Sequence, residues 1–177
     1  MHFQSDLTLA ADVEQPSMHV EHIVLPVESV SVKPLEAPIV ITLEIPATLS
    51  YVHLLSRCTC ALVESVANLA EPAVNLYNLE LALQEIAVNI VKHAYAHSEG
   101  RIQMTLSLEL QPARLTILLH DTGVSFDPTL VPPPKLGELQ EHGFGLFLVR
   151  QLMDEVEYSH SSRGNLWKLV KTIPTET

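Results

Sequence analysis

The sequence predicts an α+β fold, a two-layer sandwich of a mixed, mostly antiparallel sheet with helices on one face. Three observations predict it. Strand-like runs come in neighbouring pairs, at residues 102–119 and 156–173, each pair joined by a short turn, which favours hairpins over crossovers. Two stretches with helical apolar spacing, at 48–70 and 74–96, lie together ahead of the first pair. A chain of 177 residues that is 47 % hydrophobic is long enough for one domain with a core that needs no disulfide or metal staple.

Residues 1–38 read as an extension, acidic through Asp6, Asp12, Glu14, Glu21, Glu28 and Glu36 and punctuated by Pro16, Pro26, Pro34 and Pro38. Its β-branched stretch at 30–32 is a candidate edge strand. The domain proper spans 39–177. Residues 39–45 form its first strand by their β-branched content, and Pro46 ends it. From 48 to 70, Leu54, Leu55, Leu62 and Val66 keep helical spacing with no Gly or Pro between them. A second helix runs from 74 to 96, after Pro72, with Leu79, Leu83, Ile86, Ile90 and Ala94 as its apolar stripe. Residues 102–110 alternate with period two, and a four-residue connection beginning at Gln111-Pro112 leads to a strand at 115–119. Between Asp127 and His142 no period survives, and Pro132, Pro133 and Pro134 exclude helix and strand interior. A helix opening on Gly143 and Gly145 runs to Met153, and strands at 156–160 and 166–173 close the chain around Arg163-Gly164-Asn165.

Charge and composition exclude several classes of function. The net charge of −11 carries no basic cluster, so the chain is unsuited to neutralising a phosphate backbone or an anionic membrane surface. No apolar run is long enough to span a bilayer, and the N-terminus lacks the basic start and apolar block of a signal peptide. Cys58 and Cys60, two positions apart, read as ordinary half-buried thiols suited to a reducing cytoplasm. The expected partners are small molecules and other proteins, and the expected location is cytoplasmic.

Three constellations carry chemistry. Glu85, Asn89 and Lys92 stand at i, i+4 and i+7 and share one helix face, about 120° from the apolar stripe. Alone, such a face is usually the solvated side of an amphipathic helix. Together, a carboxylate, an amide oxygen and an ammonium suit a magnesium-bound polyphosphate. Asn89 offers Mg²⁺ a hard, uncharged oxygen, Glu85 a general base, and Lys92 a counter-charge for phosphate. The second constellation, Asp121-Thr122-Gly123 at a strand end, is by itself a tight turn. As a site, Asp121 accepts a hydrogen bond from an exocyclic amine such as adenine N6, while Gly123 lets the backbone approach the base. The third, Gly143-Phe144-Gly145-Leu146, opens a helix whose free N–H groups attract phosphate.

Taken together, these residues resemble the GHKL ATPase superfamily. Glu85 and Asn89 resemble its N box, Asp121-x-Gly123 its first glycine box, and Gly143-Phe144-Gly145 its second. Residues 89–95, 142–149 and 152–156 are most similar to the small bacterial anti-sigma-factor serine kinases, the RsbW/SpoIIAB-like group. The resemblance implies a Bergerat-type ATP-binding fold. Asn89 would ligate Mg²⁺, Glu85 would be the base, and ATP contacts would also come from Lys92, His93, Asp121, Gly123, Phe126, Gly143, Phe144, Gly145 and Leu146. Residues 127–142 would be the ATP lid. It further implies serine kinase activity on a STAS-type anti-anti-sigma protein, a sigma factor as second partner, ATP-gated partner choice, and a homodimer. The alternatives are a nucleotide-dependent binding switch without phosphotransfer and a histidine-kinase-type catalytic domain acting in trans. Two features depart from the group's usual pattern: Ser125 stands where a second glycine usually precedes the Phe, and Pro132, Pro133 and Pro134 would stiffen the lid toward polyproline II. The group's last motif, near Gly164-Asn165, is met only loosely.

Overall fold

The computed structural model describes residues 37–66, 76–126 and 144–174; the extension up to residue 36, the 127–142 segment and Gly143 lie outside them. The described residues form five strands, β1 (Ile39–Pro46), β2 (Arg101–Leu110), β3 (Ala113–Asp121), β4 (Glu155–Ser161) and β5 (Gly164–Thr172). The helices are α1 (Leu49–Glu64), α2 (Leu76–Asn89) and α3 (Phe144–Leu152). The sheet has the order β1-β2-β3-β5-β4, and every pairing is antiparallel. The predicted α+β architecture is therefore present, with no parallel pair among the described residues.

Period-two alternation decides which face of the sheet is buried. Ile102, Met104, Leu106 and Leu108 of β2 and Leu115, Ile117 and Leu119 of β3 are fully buried on one face, opposite Leu55 of α1 and Leu79, Leu83 and Ile86 of α2. Each such side chain contributes roughly 1.5–3 kcal/mol by leaving water. The same alternation carries polar residues to the rim of this face. Asp121 follows Leu119 by two positions on β3, and Asn165 precedes Trp167 by two on β5. The register pairs Asp121 with Asn165 directly, so two buried polar side chains meet where the apolar layer ends.

The elements depart from expectation in three places. Helix α1 stops at Glu64, not near residue 70. The Ser65 N–H bonds to the Ala61 carbonyl, and the Ser65 hydroxyl donates to the Leu62 carbonyl at 2.8 Å, so the last turn is closed locally. Its buried stripe is Val52, Leu55, Ser56, Thr59, Leu62 and Val63, which leaves Leu54 exposed. The β2–β3 connection is shorter than expected, because Ala113 and Arg114 already belong to the ladder. Finally, the second helix does not continue as α-helix to residue 96. It widens after Asn89 into a π-helical turn, Ile90–Ala94, closed by the Tyr95 N–H on the Ile90 carbonyl at 3.3 Å.

Candidate functional site

The end of β3 builds the first half of the site. Asp121 is buried, and its Oδ1 accepts two hydrogen bonds, from the Gly123 N–H at 2.9 Å and from Asn165 Nδ2 at 2.8 Å. No hydrogen bond from a described residue ends on Oδ2. That leaves one carboxylate oxygen on a fixed side chain with acceptor capacity to spare.

The π turn brings the helix to this strand end. Because the helix stops at Ala94, the Ala94 carbonyl is available, and the Val124 N–H donates to it at 2.9 Å. A Cβ on Gly123 would collide with that same carbonyl, so only glycine permits the approach. Tyr95 adds a second tie. Its buried hydroxyl donates to the Arg101 carbonyl at 3.1 Å and receives the Thr122 N–H at 2.8 Å. Thus the segment carrying Asn89 and the turn carrying Asp121 and Gly123 are fastened at two points.

The second half lies between α2 and α3. Glu85 and Asn89 are half-buried on α2, while Lys92 and His93 are exposed on the π turn. A Cβ on Gly145 would collide with Glu85 Oε2, so the first turn of α3 rests against the Glu85 carboxylate. Phe144 is exposed and tilted against Phe147, at 6.2 Å between ring centroids. Leu146 points the other way, into the core, which leaves its backbone as the part able to meet a ligand.

The family of histidine kinase-like ATPase domains matches residues 45–171, a stretch that contains both halves of this site. The chain belongs to the histidine kinase-like ATPase family. Within that family it is similar to the serine-protein kinase RsbW of Bacillus cereus (strain ATCC 10987 / NRS 248). The two are 34 % identical over 129 residues, covering 68 % of this chain and 77 % of the relative. The RsbW of Bacillus thuringiensis (strain Al Hakam) is 33 % identical with the same coverage. Among solved structures, the histidine kinase domain from the Erythrobacter litoralis EL346 blue-light activated histidine kinase aligns with a TM-score of 0.44 and 16 % identity. That alignment covers 73 % of this chain and 62 % of the other.

In this histidine kinase-like ATPase the two site halves hold most of the residues that the sequence singled out. Gly143 lies outside the described residues. Phe126 is half-buried against Tyr158 and Trp167, at centroid distances of 5.2 and 5.6 Å. Two residues at the site enter the sequence reading only within stretches compared with the group, Tyr95 at the end of 89–95 and Asn165 in the loosely met last motif, and neither is given a role there. A signal for Asn165 existed in the alternation of β5, which places it on the same face as the buried Trp167 and Leu169. Among the described residues no helix is long and apolar enough to cross a membrane.

Proposed function

We propose that this chain is an Mg-ATP-dependent serine/threonine protein kinase that acts as an ATP-gated anti-sigma regulatory factor in the cytoplasm. Its substrate is a serine on a STAS-type anti-anti-sigma protein, its second partner is a sigma factor, and its acting unit is a homodimer. One observation carries this function. Three sequence constellations that are 20 or more residues apart converge, Gly123-Val124 on the Ala94 carbonyl and Gly145 on the Glu85 carboxylate. Similarity to proteins named serine-protein kinase RsbW supports the same activity.

The residues fit an adenine nucleotide. Asp121 Oδ2 is an acceptor without a partner among the described residues, as an adenine amino group requires, and Gly123 leaves no side chain in the way of the base. Asn89 supplies one neutral oxygen, which suits a cation that takes its remaining ligands from phosphates and water. Mg²⁺, when bound, offsets charge on the phosphates. Lys92 adds a positive charge to the same helix. Glu85 accepts the proton of the substrate hydroxyl as its oxygen attacks the γ-phosphorus. The new serine O–P bond forms, the bond from the γ-phosphorus to the β–γ bridging oxygen breaks, and ADP leaves with that electron pair.

Mg-ATP is expected to raise the melting temperature, since binding to the native state adds about 2.7 kcal/mol at a hundredfold excess over Kd. Asn89→Ala is expected to remove the magnesium dependence of that shift. Glu85→Gln is expected to keep nucleotide affinity and lose about 10²- to 10⁴-fold in phosphorylation rate. A wild type with no thermal shift in millimolar Mg-ATP refutes the nucleotide site. A wild type that binds Mg-ATP and partner but transfers no phosphate is a binding switch instead.

A further inference from the structure

Asn165 is buried, and all four polar contacts of its side chain are made within the site. Its Nδ2 donates to Asp121 Oδ1 at 2.8 Å and to the Gly123 carbonyl at 3.2 Å. Its Oδ1 accepts from Ser125 Oγ at 2.6 Å and from the Tyr158 hydroxyl at 3.0 Å. The chemistry of the partners fixes the orientation of the amide. A carboxylate and a carbonyl only accept, so the NH₂ end must face them. The Tyr158 hydroxyl already accepts the Phe126 N–H at 3.2 Å, which directs its own proton toward Oδ1. Ser125 supplies a second O–H to the same atom. The amide therefore has one orientation, and through it the Asp121 carboxylate has one as well.

Ser125, where the sequence departs from its group, is thus bonded to Asn165. Ser125 lies 40 residues before Asn165 in the chain and makes the shortest of the four contacts. A hydroxyl at 125 needs an acceptor, and an amide oxygen at 165 needs a donor. Each side chain satisfies the other.

We propose that Asn165 is the positioning residue for base recognition in this chain, and that Ser125 and Tyr158 act through it. Asn165 and the Gly123 N–H hold Asp121 Oδ1, so that Oδ2 alone is presented to the 6-amino group of a purine. The same amide ties the Gly123 carbonyl, Ser125 and, through Tyr158, the Phe126 N–H to the β4–β5 hairpin, so the segment after Asp121 is held with the base-binding oxygen. This inference rests on the adenine reading of Asp121.

The test uses the full chain, Mg²⁺ and two ligands, ADP and purine riboside 5′-diphosphate, which lacks the 6-amino group. Calorimetric titration gives the ratio of their dissociation constants. The wild type is expected to prefer ADP by about tenfold or more, the worth of a hydrogen bond to a charged group. Asn165→Ala is expected to shrink that preference by about tenfold. Ser125→Ala and Tyr158→Phe are expected to shrink it a few-fold each, and Ser125→Ala to add nothing in the Asn165→Ala background, as for groups acting through one atom. Should Asn165→Ala fail to fold, Ser125→Ala and Tyr158→Phe decide alone, because the Ser125 side chain is exposed and Tyr158→Phe keeps the ring. A purely structural role weakens both ligands equally. Variants that keep the wild-type preference therefore overturn the inference while leaving the adenine site standing. A wild type that binds both ligands equally refutes the adenine site, and the inference with it.

Discussion

Gly145 and Gly123 are both glycines for reasons of space, yet what each would strike differs, and so do the consequences of replacing them. A Cβ at Gly145 meets the end of the Glu85 side chain, which can swing aside. Gly145→Ala is therefore expected to fold normally and bind ADP within a few-fold of wild type. With the proposed base displaced, phosphorylation of the partner should fall about 10²-fold or more, measured by single-turnover transfer. A Cβ at Gly123 meets the Ala94 backbone carbonyl, which is held by the Val124 N–H and cannot swing. Gly123→Ala is expected to lower unfolding stability by about 1–3 kcal/mol in urea titration and to weaken ADP as well. Preserved stability in that variant would contradict the tie between π turn and strand end. At this scale the sequence singled out Asp121, Gly123 and Glu85 because each sits in a short local motif. The bonding of Asn165 was not legible, because its partners Asp121, Gly123 and Ser125 are 40 to 44 residues away and only the β3–β5 register joins them.

Among the elements, the order and type of strands and helices were legible from periodicity, whereas terminations were not. A π turn changes one hydrogen bond from i−4 to i−5 and barely alters the apolar period, so Ile90 and Ala94 stay buried as a continuous α-helix predicts. The end of α1 is set by Ser65, a residue type that also occurs inside helices. The β4–β5 hairpin owes part of its hold to Asp154, just before β4. Partial burial pushes the Asp154 carboxyl up, but hydrogen bonds from Lys171 and from the Thr172 N–H outweigh it and hold the group below its ordinary 3.8. A depressed folded value means stability that is present above 3.8 and lost as pH falls through the lower folded value. The side chain is 40 % exposed, so screening keeps the contribution under about 1 kcal/mol. Asp154→Asn is expected to lower the urea midpoint slightly at neutral pH, and the gap to wild type is expected to close in acid. A gap that widens in acid reverses the sign and removes the assignment.

Across the whole described domain, the two edges of the sheet are unequal. Strand β4 carries Glu155 and Glu157, paired with Arg114 and Lys168, and charges on an edge strand discourage pairing with another chain. Strand β1 offers eight residues with a single charged side chain, Glu44, which is engaged by Arg101, and Val40 is 57 % exposed. Among the described residues no strand pairs with the outer edge of β1. An apolar strand with one open edge favours association, and a two-fold contact along it lays the two copies of β1 side by side, residue i of one facing residue j of the other and j facing i. The full chain is therefore expected to scatter light as a dimer at high micromolar concentration. Val40→Lys with Thr42→Lys, both exposed in β1, introduces four ammonium groups per dimer along that contact and is expected to yield a monomer that still binds Mg-ATP. Deleting residues 1–36 is expected to leave the dimer intact. A full chain that is monomeric and dimerises only after that deletion would mean that the acidic extension, not a second copy, covers β1. A double-lysine variant that remains dimeric would move the contact to another surface of the domain.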